Sequence, residues 1–136
     1  MERDLQAIPR VRLGAFPTPI EPLEALGTAL NLRLTIKRDD YSGFGGGGNK
    51  VRKLEYLLAE ASAQKADMLI TTGAAQSNHA RMTAAAACCF GMESVLVLRA
   101  GTKLDYQGNL LLDRLFGATF EFIPVEPDVA TAAAAM

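Results

Sequence analysis

Two clusters of residues in this chain have the types and spacing that chemistry needs. The first is Gly43-Phe44-Gly45-Gly46-Gly47-Gly48-Asn49-Lys50, continuing as Val51-Arg52-Lys53-Leu54-Glu55-Tyr56. Consecutive glycines let the backbone approach a bound group closely and take φ values that other residues avoid. A lysine just past such a loop, where a helix begins, can serve as a phosphate ligand or as a Schiff-base amine. The second cluster is Gln76-Ser77-Asn78-His79. It gathers amide donors and a hydroxyl at a helix start, a natural seat for a carboxylate.

Three chemistries compete for the glycine loop. A phosphate-binding P-loop needs Gly, four residues, Gly, then Lys and Ser or Thr. Gly43 and Gly48 have that spacing, but Asn49 precedes Lys50 and Val51 offers no hydroxyl for a magnesium ion. The run also satisfies the G-x-G-x-x-G dinucleotide pattern, which any glycine-rich stretch matches easily. Asp39 to Ser42 separate it from the preceding strand, however, and Thr71-Thr72-Gly73 ends the next one without an acid for a ribose. In the third reading Lys50 holds an aldehyde cofactor. Its amine must then be neutral, and the like charges of Arg52 and Lys53 would favour that form.

The elements that must position these clusters follow from pattern. Ile8 to Pro22 holds four of the six prolines and reads as an extended arm. Pro22 suits the first turn of a short helix to about Leu30, and the alternation in Leu32–Arg38 predicts a strand. Asp39 to Asn49 is loop. Val51, Leu54, Leu57, Leu58 and Ala61 recur at helical spacing across Lys50–Gln64. Thereafter the pattern alternates: strand Met68–Thr72, helix Asn78–Phe90 ended by Gly91, strand Ser94–Leu98, helix Gly108–Phe116 ended by Gly117, strand Ala118–Ile123. Such alternation implies parallel βαβ units, with chemistry at the carboxyl ends of the strands. Val129 to Met136 reads as the opening of a further helix, so the chain is expected to stop within a longer protein. Ala84 to Ala87 with Cys88 and Cys89 reads as a small-residue packing face with buried thiols. Met82 and Met92 read as core. As bland alternatives, His79 could cap a helix and Lys53 could pair with a surface acid such as Glu55.

Composition bounds the function. The chain has 136 residues and a hydrophobic content of 49%, enough for a packed core. A net charge of −1 argues against nucleic acid as a partner. No apolar run is long enough for a bilayer, Met1-Glu2-Arg3-Asp4 lacks a signal peptide's core, and the adjacent cysteines do not suit a disulfide. A cytoplasmic protein with neither a membrane nor a metal partner is expected.

Gly47-Gly48-Asn49-Lys50-Val51-Arg52-Lys53-Leu54-Glu55-Tyr56, together with Gly73-Ala74-Ala75-Gln76-Ser77-Asn78-His79-Ala80-Arg81, resembles the D-cysteine desulfhydrase and 1-aminocyclopropane-1-carboxylate (ACC) deaminase family. These are pyridoxal-phosphate enzymes of the tryptophan-synthase-β fold type. Phe16-Pro17-Thr18-Pro19 and Lys37-Arg38-Asp39-Asp40 resemble the family's opening segments, and the likeness runs through nearly all of this chain. The resemblance implies an α/β fold, a three-layer open parallel sheet with helices on both faces, here truncated. Residues 1–49 would belong to a large cofactor domain and 50–136 to a small one. It implies that Lys50 carries pyridoxal 5'-phosphate as a Schiff base and that Lys53 lies near the cofactor phosphate. Asn78 would sit beside the pyridoxal hydroxyl and the substrate, and Ser77 would contact the substrate carboxylate and share in the chemistry. His79 falls where ACC deaminases carry glutamine and desulfhydrase-like members carry histidine, which tilts the expected substrate among small amino acids toward D-cysteine. ACC deaminase is the alternative. An alternative of another class is a truncated, non-catalytic module that docks to a partner. A homodimer is implied for the full-length protein.

Overall fold

The computed structural model describes residues 7–100 and 105–124. They fall into two compact units, one within Met1–Ala66 and one within Asp67–Met136. The last expected helix, Val129 to Met136, lies outside the described residues.

In the first unit, strand β1 (Ile20–Pro22) leads into helix α1 (Glu24–Leu30) and strand β2 (Thr35–Lys37). The two strands pair antiparallel, Glu21 opposite Ile36. The expected strand Leu32–Arg38 is therefore shorter, and it belongs to a two-stranded ribbon instead of a parallel sheet. The glycine loop follows this ribbon, so it does not sit at the carboxyl end of a parallel strand. Helix α2 (Val51–Ala63) begins one residue after Lys50. Its buried stripe is Val51, Leu54, Glu55 and Leu58, the i, i+3, i+4, i+7 spacing of one helix face. Leu57, expected on that face, is exposed.

Glu55 takes the inward position because the arm needs it. Its Oε1 accepts the backbone N–H of Leu13 at 3.0 Å and of Gly14 at 3.2 Å. The Val11 N–H reaches the Glu55 carbonyl at 3.0 Å. Arg10 lies 3.8 Å from the other carboxylate oxygen. A charge can be buried when hydrogen bonds compensate its lost hydration. Glu55 is thus an internal anchor for residues 10–14 and not the surface acid that Lys53 was expected to meet.

The second unit is a parallel sheet in the order β3 (Met68–Ala74), β4 (Glu93–Ala100), β5 (Thr119–Pro124). Helices α3 (Asn78–Phe90) and α4 (Asn109–Leu115) form the crossovers. Helix α3 packs against β3 and β4 and beside α4. The core is Ala80, Ala84, Leu96, Leu98 and Leu110, with Phe116, Phe120 and Phe122 against it. Alanines let α3 lie close to the sheet, and Ala84 to Ala87 are buried as expected. Cys88 and Cys89 are exposed free thiols, contrary to expectation. They fall in the last turn of α3, just before Gly91 reverses the chain with a left-handed φ of 67°. Met82 is fully buried and Met92 half-buried. No helix among the described residues is long and apolar enough to cross a membrane.

Candidate active site

The glycine loop is built against its own preceding turn. Residues 39–42 and 44–46 form short 3₁₀ turns. Gly43, Gly45, Gly46, Gly47 and Gly48 all have positive φ. Gly48 N–H donates to the Asp39 carbonyl at 2.9 Å, and the buried Ser42 hydroxyl also bonds Gly48. A Cβ on Gly47 would lie 2.1 Å from the Asp40 carbonyl oxygen. Glycine at 47 is thus a packing requirement as well as a conformational one.

This loop delivers Lys50 to the head of α2. Lys50 is half-buried, and its Nζ donates to Asn49 Oδ1 at 3.1 Å. No carboxylate of the described residues forms an ion pair with it. Lys53 lies one turn on, exposed. Arg52 stands between them in sequence but is committed elsewhere. It grips Asp39 through Nε at 2.8 Å and Nη2 at 2.6 Å. The bidentate pair holds the Asp39 carboxyl down to about 2, with the Thr18 hydroxyl adding a bond at 2.8 Å. Asp39 offsets the positive charge of Arg52, so Arg52 does not supply the like-charge repulsion on Lys50 that the sequence suggested. The Arg52 guanidinium also lies 4.6 Å over the Phe16 ring, which ties the arm to α2.

The second cluster sits at the carboxyl end of β3, as expected. Ser77 caps α3, its Oγ accepting the Ala80 N–H at 3.2 Å. That role belongs to Ser77 and not to His79. Gly73 permits the turn, since a Cβ there would lie 2.8 Å from Ser77 Oγ. His79 is half-buried, with Nε2 3.1 Å from the Thr71 hydroxyl of β3. Asn78 is exposed, and its Oδ1 accepts from Asn109 Nδ2 at 3.0 Å. Lys50 and Lys53 therefore belong to one compact unit, and Ser77, Asn78 and His79 to the other.

Sequence pattern missed Asn109. It heads α4, far from the cluster in sequence, yet it bonds Gln76, Asn78 and Arg81. Nothing local marks it except its place after Gly108 at a helix start.

Each unit thus carries its own donors. In the first unit the Lys50 amine, with no carboxylate partner among the described residues, can meet a carbonyl carbon. In the second unit the Ser77 hydroxyl and the Asn78 amide can meet polar oxygens.

The family model for pyridoxal-phosphate dependent enzymes matches residues 11–136. The chain belongs to that family. It is 43% identical over 133 residues to a D-cysteine desulfhydrase of Klebsiella pneumoniae, covering 94% of this chain and 40% of the relative. It is 45% identical over 119 residues to a mitochondrial bifunctional D-cysteine desulfhydrase/1-aminocyclopropane-1-carboxylate deaminase of Arabidopsis thaliana, covering 84% of this chain and 30% of the relative. A crystal structure of an ACC deaminase homologue superposes with a TM-score of 0.83 at 41% identity, covering 96% of this chain and 40% of that one. The α/β architecture with a parallel sheet is shared with that structure. The chain spans 30–40% of the length of these relatives.

Proposed function

We propose that this chain is the N-terminal part of a pyridoxal-phosphate-dependent lyase that converts D-cysteine to pyruvate, sulfide and ammonia. One observation carries the reading: a half-buried lysine amine at the head of α2, beside a glycine loop and without a carboxylate partner among the described residues. Lys50 would hold the cofactor through that amine, with Lys53 toward the phosphate and the Asn78 amide toward the ring hydroxyl. When bound, pyridoxal phosphate supplies an electron sink for charge developing at the substrate α-carbon. Ser77 would take the substrate carboxylate near the N-terminus of α3 and share in the chemistry. His79, held against Thr71, would favour the sulfur substrate. ACC deamination is the second reading, favoured by the likeness to the ACC deaminase homologue. In the longer protein residues 1–49 would join a large domain and 50–136 a small one, in a cytoplasmic homodimer.

Lys50→Ala in the full-length protein should abolish turnover, and borohydride should no longer fix cofactor to the chain. Lys50→Arg should fail equally, because a guanidinium is not an amine nucleophile. Near-normal turnover in either variant would remove the central claim. Sulfide release from D-cysteine should far outpace ring opening of ACC; the reverse preference would select the second reading. A folded 136-residue chain that gives no visible band with pyridoxal phosphate would favour a non-catalytic docking module for the chain by itself.

A further inference from the structure

Four hydrogen bonds converge on Asn109, and their directions are not interchangeable. Its Oδ1 lies 2.9 Å from Arg81 Nη1. A guanidinium only donates, so the atom facing it must be the amide oxygen. Its Nδ2 lies 2.8 Å from the Gln76 backbone carbonyl, which only accepts. The orientation of the Asn109 amide is therefore set at both ends. The same Nδ2 donates to Asn78 at 3.0 Å, so the Asn78 atom facing it must be Oδ1. The fourth bond runs from the Asn109 backbone N–H to Gln76 Oε1 at 2.8 Å, and Gln76 Nε2 in turn donates to the Gln107 carbonyl at 3.0 Å.

The turn into α4 is shaped for this contact. Gly108 has φ 58°, and a Cβ there would lie 2.6 Å from Gln76 Oε1. Arg81, which sets the first direction, is itself buried.

We infer that Asn109 is a positioning residue that fixes the polarity of Asn78, committing its Oδ1 to α4 and leaving its Nδ2 to donate to an acceptor oxygen of the ligand. The inference rests on the proposed cofactor role of Asn78 and extends it. An Asn78 free to turn over would present a carbonyl or an amide; held by Asn109, it presents the amide. The ligand atom it selects is an oxygen that gains negative charge, such as the ring hydroxyl of pyridoxal phosphate once it loses its proton.

The discriminating variant is Asn109→Asp. A carboxylate still accepts from Arg81 but cannot donate, so Asn78 should turn its Nδ2 toward residue 109 and its oxygen outward. The full-length protein is titrated with pyridoxal phosphate and followed by visible absorbance, with folding checked by circular dichroism. Asn109→Asp and Asn78→Ala should each lose about tenfold in affinity, the scale of one hydrogen bond made to a charged oxygen. The pH midpoint of the bound cofactor's band should move upward in both, because a lost donor no longer favours the deprotonated oxygen. In an Asn78→Ala background, Asn109→Asp should add little, since its effect passes through Asn78. Asn109→Ala, which releases Asn78 without reversing it, should lose a few fold by the same route, and it carries the test if the aspartate variant does not fold. Wild-type affinity and midpoint in folded Asn109 variants would overturn the inference, as would full additivity with Asn78→Ala. A wild-type protein that gives no cofactor band would overturn the proposed function, and this inference with it.

Discussion

Glu55 offers the sharpest test of how the N-terminal arm is held. Its Oε1 receives two backbone N–H groups, from Leu13 and Gly14, and the residue is 2% exposed. Hydrogen bonds to a charged group contribute about 1.5–3 kcal/mol each, so the pair comes to about 3–6 kcal/mol. The Arg10 contact adds little, because its guanidinium side chain is 60% exposed. Glu55→Ala removes both bonds and leaves the buried Gly14 N–H without an acceptor. Glu55→Gln keeps an acceptor at the same place and loses mainly the charge, for about 1–2 kcal/mol. Urea unfolding should rank wild type above Gln above Ala. Amide hydrogen exchange should place the loss at Leu13 and Gly14, with faster exchange in Glu55→Ala by about a hundredfold or more. Unchanged exchange at Gly14 together with an unchanged urea midpoint would refute the claim that Glu55 anchors the arm.

Asp113 should give the protein an unusual pH dependence. It is fully buried in α4 with no hydrogen bond to either carboxylate oxygen among the described residues; burial pushes it up to about 6, against the nearby charge of Arg81. A carboxyl raised in the folded state contributes stability below the unfolded value near 4 and loses it as pH rises through 6. Relative to Asp113→Asn, the wild type should lose about 2 kcal/mol between pH 4 and pH 7, and parallel urea midpoints across that range would contradict this. Asp39 has the opposite sign: held down to about 2 by Arg52, it contributes stability above pH 4 that disappears as pH falls toward 2. Gly47→Ala should destabilise the glycine loop by about 1–3 kcal/mol or more, from positive φ together with the close Asp40 carbonyl, whereas Gly43→Ala meets no atom within 4 Å and carries only the φ cost. Equal urea midpoints for the two variants would show that the Asp40 contact is not tight.

The elements of the second unit were legible because their signals are local. Helix Asn78–Phe90 was found with the expected bounds, since an alanine run and a terminal Gly91 lie within one stretch of chain. Strands β3 to β5 came within a few residues, because β-branched and aromatic runs bounded by glycine mark buried parallel strands. The two candidate motifs were legible for the same reason: each is a contiguous run at an element boundary. Tertiary structure alone decided what lies opposite each residue. Leu57 and Glu55 are both compatible with helical periodicity; only the arrival of the Leu13 and Gly14 amides makes Glu55 the buried one. Arg52 reads as a free cation beside Lys50 until Asp39 folds against it. Asn109 carries no signal of its own, and its role exists only because the crossover from β4 returns α4 to the start of α3. Residue order determines periodicity, caps and turns, which are set by neighbours in the chain. Which polar group satisfies which other is set by distance in space, and that is fixed only when the elements pack.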